Sequence, residues 1–169
     1  MKTKSKTTEY DARFVGTSLE YYISGTTALN IPTPALGGGW YLTSILTQKK
    51  VKLHLAGTGP DSFVDTNASL GSNGIFECSG ILQKKGANIP SDLKVFSANH
   101  HRAILDLLVK TARAQQDPSF IRLSDYFDTD EEKEALIASV ETALPKLNSG
   151  ESSFIHKWLL QKVTPAMSI

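Results

Sequence analysis

The chain has 169 residues, 40% of them hydrophobic and 21% charged, with a formal net charge of +1. That is enough chain for one core burying roughly two thirds of the unfolded surface, and the balance excludes global disorder and any strong overall drive towards nucleic acid or anionic membrane. The single cysteine, Cys78, excludes an internal disulfide framework and any multi-cysteine zinc or iron-sulfur site.

A single domain is expected over residues 1–169: a disordered polar tail at 1–8, a strand- and loop-rich part at 9–97 and a helical part at 98–164. The tail carries Lys2, Lys4 and Lys6, and no apolar run after it has the length of a secretory signal or a membrane span, so a cytoplasmic location is expected. Ser18 to Ser24 reads either as a short helix, with serine as cap and Gly25 as stop, or as a strand containing Tyr21, Tyr22 and Ile23.

Gly25 to Tyr41 mixes apolar anchors (Leu29, Ile31, Leu36, Trp40, Tyr41) with Pro32, Pro34 and the triplet Gly37, Gly38 and Gly39. Proline biases its preceding residue towards extended backbone, and glycine admits close approach of another chain. Trp and Tyr are favoured interface anchors. Gly37, Gly38, Gly39, Trp40 and Tyr41 are therefore the expected partner-binding residues, with core burial as the structural alternative for the two aromatics.

Trp40 to Leu46 is apolar and aromatic, and Val51-Lys52-Leu53-His54-Leu55 alternates with the period of a half-buried strand. Ala56 to Gly74 has the composition of a long surface loop. Ile75 to Leu82 reads as one strand and Leu93 to Phe96 as a short one. Helical spacing then takes over. Asn99 to Gln115 carries Ala103, Ile104, Leu107, Leu108, Thr111 and Ala112 at intervals of three and four, with Ser97 or Asn99 as cap and Arg102 one turn before Asp106. Asp128 or Thr129 caps a second helix with Leu136, Ile137, Val140 and Leu144 on its buried stripe. Ser152 or Ser153 starts a third, with Phe154, Ile155, Trp158, Leu159 and Val163 inward. The expected fold is α+β: a small, mostly antiparallel sheet from the first hundred residues, covered by three C-terminal helices.

His100, His101 and Arg102 form the densest functional cluster, and they are the second candidate site, for ligand contact. Neighbouring residues on a helix diverge by about 100°, so adjacent histidines do not readily grip one metal ion; the structural reading is a helix start docked on the sheet. Cys78 reads as a buried thiol within a strand rather than a nucleophile at a sharp turn. Asp61 and Asp65 lack the oxygen pattern of a calcium loop. The Gly57-Thr58-Gly59 and Gly71-Ser72-Asn73-Gly74 pieces lack the Lys-Ser/Thr of a phosphate-binding loop. Lysines 49, 50, 52, 84 and 85 read as a solvated hairpin end, with a nucleic-acid footprint as the alternative. The acidic run Asp125 to Glu134 serves as a helix cap and, secondarily, as a docking face for a basic partner. No catalytic constellation, metal or cofactor is expected.

Gly25-Thr26-Thr27-Ala28-Leu29-Asn30 resembles the Gly-Gly-Thr-Ala-Leu segment of nucleotidyltransferase-type toxins of bacterial abortive-infection and toxin-antitoxin systems, over about six residues. In that family an Arg-x-Ser-x-Asp-x-Asp element follows, and its paired aspartates hold the metal ions for nucleotide transfer. Here no acidic residue follows until Asp61, and Asp61 and Asp65 are spaced by four rather than two, so the resemblance implies no catalysis. The expected function is a non-enzymatic, protein-binding component of a bacterial defence module of the antitoxin or immunity type, with a toxin or effector as partner. The alternative is a nucleotide- or nucleic-acid-binding protein or enzyme using the glycine-rich loops and the His100-His101-Arg102 cluster.

Overall fold

The computed structural model describes residue 14, residues 16–33 and residues 52–163. The expected partner-binding residues Gly37, Gly38, Gly39, Trp40 and Tyr41 lie outside the described residues, as does the rest of the proline- and glycine-rich stretch from Pro34 on.

Four short segments become strands: β1 (Tyr21–Ile23), β2 (Leu55–Gly57), β3 (Ile75–Glu77) and β4 (Phe96–Ala98). They form one sheet in the order β2-β1-β4-β3. β1 pairs antiparallel with β2, and β3 antiparallel with β4. β1 and β4 run parallel, Ile23 opposite Ser97, so the sheet is mixed. Ser18 resolves the ambiguity before β1: its hydroxyl accepts hydrogen bonds from the Glu20 and Tyr21 N–H groups, forming a turn that leads into a strand.

Short helices link the strands: α1 (Gly25–Ala28), α2 (Asn67–Leu70) and α3 (Ser79–Lys84). Four expectations change here. The strand expected over Val51 to Leu55 starts only at Leu55 among the described residues, and the one expected over Leu93 to Phe96 lies at Phe96–Ala98. The apolar run Ile75 to Leu82 is not one strand. It turns at Cys78, whose N–H donates to Val95 O at 2.7 Å, and Leu82 N–H then donates to Cys78 O at 3.0 Å as the helix begins. The Ser79 hydroxyl accepts from Val95 N–H at 2.7 Å, a side chain taking over the ladder position that the departing strand vacates. The long loop from Ala56, for its part, starts in β2 and contains α2.

The second half is helical: α4 (His100–Arg113), α5 (Asp130–Ala143) and α6 (Ser149–Val163). Each start has a side-chain reason. Asn99 caps α4, its Oδ1 accepting from Arg102 N–H at 2.9 Å. Thr129 and Glu132 form a reciprocal capping box on α5. Asn148 Oδ1 accepts from Glu151 N–H at 2.8 Å, so α6 begins at Ser149, ahead of the expected Ser152 or Ser153.

α4 is the axis of the molecule. Leu105 and Val109 are buried as well as the expected stripe of Ala103, Ile104, Leu107 and Leu108, because α4 contacts α1 and β4 and is covered by α5 and α6. A helix enclosed on most sides must be apolar nearly all round. Trp158 of α6 is fully buried and donates from Nε1 to Ile121 O at 3.3 Å, tying the last helix to the segment that follows α4. The fold is therefore α+β, and no described helix is long and apolar enough to cross a membrane.

Candidate functional site

Polar residues of α4 take part in two contrasting groups. On the sheet side, Asp106 is wholly buried and accepts four hydrogen bonds. Tyr22 Oη and Ser24 Oγ donate to Oδ2 at 2.8 and 2.7 Å; Thr66 Oγ1 and Arg102 Nε reach Oδ1 at 2.6 and 3.2 Å. Arg102, 2% exposed, spends its remaining donors on Gly71 O at 2.8 Å, Asn73 O at 2.7 Å and Thr66 Oγ1 at 3.0 Å. Its guanidinium also lies 5.4 Å from the centre of the Tyr22 ring. Burial, then the charge of Asp106, push the Tyr22 hydroxyl above its ordinary titration range. A buried ion pair is tolerable only when its other donors and acceptors are satisfied, and here both partners are. The knot joins β1, the Thr66 turn, the Gly71 loop and α4, and it leaves neither charge for a substrate.

Arg102 is thus a scaffold residue, and its candidate companions are placed differently. His100 is buried and donates from Nε2 to Ile31 O at 2.9 Å, anchoring the chain just after α1 onto α4. Both rings meet Phe127 edge-on, at 6.4 Å for His100 and 6.3 Å for His101, but the His101 Nε2 is enclosed without a hydrogen-bond partner. Burial lowers the pKa of both histidines. Neither joins a third ligand, since no group of three or more His, Cys, Asp or Glu side chains among the described residues is arranged to hold a metal ion. A cleft of about 310 Å³ runs beside His101, lined also by Asn73, Asn99, Ser139 and Lys146.

Gly57, Gly59 and Gly74 of the glycine-rich pieces are glycine for reasons of packing, whereas Gly71 has open space around it and takes a positive φ of +58°. A Cβ on Gly57, which has φ +94°, would lie 1.9 Å from Glu20 O, and one on Gly59 would lie 2.3 Å from the Tyr21 ring. Gly74, at φ +79°, lets the loop pass within reach of Asn99 and Arg102. Cys78 does sit at a strand-to-helix turn, contrary to expectation, yet it is fully buried, and burial pushes its thiol up to about 12. A thiol so held is inert as a nucleophile near neutral pH.

The second polar place was not singled out in the sequence. Thr26 of α1, His54 before β2 and Lys110 of α4 border a cleft of about 300 Å³, with Lys52 and Asp61 on its rim and Leu53, Phe63 and Leu107 in its walls. Thr26 Oγ1 and His54 Nδ1 are hydrogen-bonded at 2.8 Å. The His54 backbone is held on both sides: its N–H donates to Thr27 Oγ1 at 2.9 Å and its carbonyl accepts from Ser24 N–H at 2.9 Å. Partial burial, then Lys110 and Lys52, lower the pKa of His54. Only the alternation that turns Lys52 and His54 to one side of the chain hinted at this site; Thr26 and Lys110 join them through the fold. Comparison of the chain with family models, with curated proteins and with solved structures finds no match.

Proposed function

We propose that this chain is a non-enzymatic, protein-binding component of the antitoxin or immunity type, whose partner is a toxin or effector protein. The observation that carries this reading is the fate of the reactive side chains. Asp106, Arg102, Tyr22 and Ser24 are consumed in one internal knot, and Cys78 is buried with its thiol titrating at about 12. A general acid or base must reach the proton that it transfers, and a nucleophile must be both accessible and ionised. None of these groups has that freedom.

The exposed surface supports a basic protein as partner. Asp125, Asp128, Asp130, Glu131 and Glu134 are all solvent-facing around the start of α5. Arg122 and Lys133 pair with Asp125 and Asp130 there, and the net negative charge left by Asp128, Glu131 and Glu134 steers association with a basic surface. The bacterial defence setting rests on the likeness of Gly25 to Asn30 to the toxin segment.

The test is co-expression with each flanking gene. The expected result is relief of a growth defect caused by one flanking product, together with a complex of defined stoichiometry by size exclusion and light scattering. Charge reversal at Asp130 and Glu131 to Lys weakens that complex while the circular dichroism of the chain stays unchanged. Growth relief by no flanking product, with no complex formed, overturns the reading.

A further inference from the structure

Two lysines, one histidine and one threonine approach the same cleft from three parts of the chain. Lys52 and Lys110 are exposed, and neither has an ion-pair partner among the described residues. Facing them is one carboxylate, Asp61, so the cleft is left with excess positive charge. Both lysines act on the same imidazole, for each lowers the pKa of His54. An anion bound in the cleft is attracted by both ammonium groups at once.

The imidazole is held in place by its neighbours. Thr26 holds Nδ1, its own carbonyl accepting from Asn30 Nδ2 at 2.8 Å, and the Phe63 ring meets the imidazole edge-on at 6.3 Å. When the Thr26 hydroxyl donates to Nδ1, the neutral ring carries its proton on Nε2, which has no partner among the described residues. In that tautomer the site offers one N–H donor and two exposed ammonium groups beside Leu53, Phe63 and Leu107. A cleft near 300 Å³ with apolar walls and a few convergent polar groups has the character of a small-molecule site.

We infer that this cleft binds a small organic anion, its carboxylate or phosphate head held by Lys52, Lys110 and His54 Nε2–H and its flat apolar body laid against Phe63 and Leu107. Lysine supplies charge without the forked geometry of arginine, so the site admits either head group. The inference is independent of the protein partner proposed above.

The experiment uses the full chain with four probes, inorganic phosphate, phenyl phosphate, benzoate and adenosine monophosphate, measured by calorimetry and thermal shift at low and high salt. Phenyl phosphate or benzoate is expected to bind at least about tenfold more tightly than inorganic phosphate, and binding is expected to weaken as salt rises. Lys110→Gln and Lys52→Gln are each expected to weaken it by about tenfold or more, with unchanged circular dichroism. Tighter binding of phenyl phosphate than of benzoate, with adenosine monophosphate bound as well, identifies the head as phosphate; the reverse order identifies it as carboxylate. Absence of binding by every probe at millimolar concentration, or binding that both lysine variants leave intact, overturns the inference.

Discussion

The two polar regions beside α4 are built from similar residues to opposite ends. Around Asp106, a carboxylate, a guanidinium and three hydroxyls are enclosed, and each charge meets a full set of partners. Around His54, two ammonium groups, a carboxylate and a hydroxyl border an open cleft, and the lysines have no ion-pair partner among the described residues. Burial accounts for the difference. An enclosed charge must be compensated by the fold itself because water is absent, whereas a charge on a cleft rim is solvated and stays available to a ligand. The first region therefore governs stability, and the second is where binding is to be sought.

Substitutions separate the two. The largest effect is expected from Asp106→Ala, which strands a buried guanidinium and three hydroxyls; the cost is about 3–5 kcal/mol in urea denaturation. A loss no greater than that of a surface substitution would break the comparison. The double variant Arg102→Met with Asp106→Leu sharpens it. Replacing an isolated buried pair by apolar residues is often neutral or stabilising, but here Tyr22, Ser24, Thr66 and the carbonyls of Gly71 and Asn73 would lose their partners, so the double variant should remain less stable than the parent.

Tyr22→Phe removes one donor from a charged acceptor and should cost about 1.5–3 kcal/mol in the same assay. The pH dependence is smaller and has a definite sign. His54, His100 and His101 all have pKa values lowered in the folded chain from an ordinary 6.5. Below about pH 6.5 the unfolded chain then takes up protons that the folded chain resists, so stability falls as pH drops through that window and is retained above it. The thermal midpoint is expected to be lower at about pH 5.5 than at about pH 7.5, and His101→Phe, which preserves the contact with Phe127, should reduce that drop. Smallest of all is the effect of Lys52→Gln and Lys110→Gln on the unfolding midpoint, which should not move, as is usual for exposed positions. A clear loss of stability in either would mean that the cleft lysines belong to the scaffold after all.

Much of the second half was legible because its signals are local. Thr129, Glu132 and the stripe through Leu136 and Val140 all act within one helix, and the capping box forms as its spacing dictates. The Arg102–Asp106 pair was visible as one helical turn, but its enclosure was not, since that depends on Tyr22, Ser24 and Thr66. The turn at Cys78 was hidden for a different reason. Ile75 to Leu82 is mostly apolar, with Glu77 and Ser79 within it, and a short apolar run does not distinguish a strand from a strand followed by a buried helix; the bond from Cys78 N–H to Val95 O decides it.

Sequence alone determined the class of the fold, the three C-terminal helices and, to within two candidates each, the first two of their caps, because periodicity and capping operate over three or four residues. Only the tertiary structure decided which polar side chains would be locked away and which would be left facing water. His100 finds Ile31 at a separation of 69 residues, and Asp106 finds Tyr22 at 84. Pairings over such distances are set by how the sheet and α4 close on each other, and no spacing along the chain encodes them.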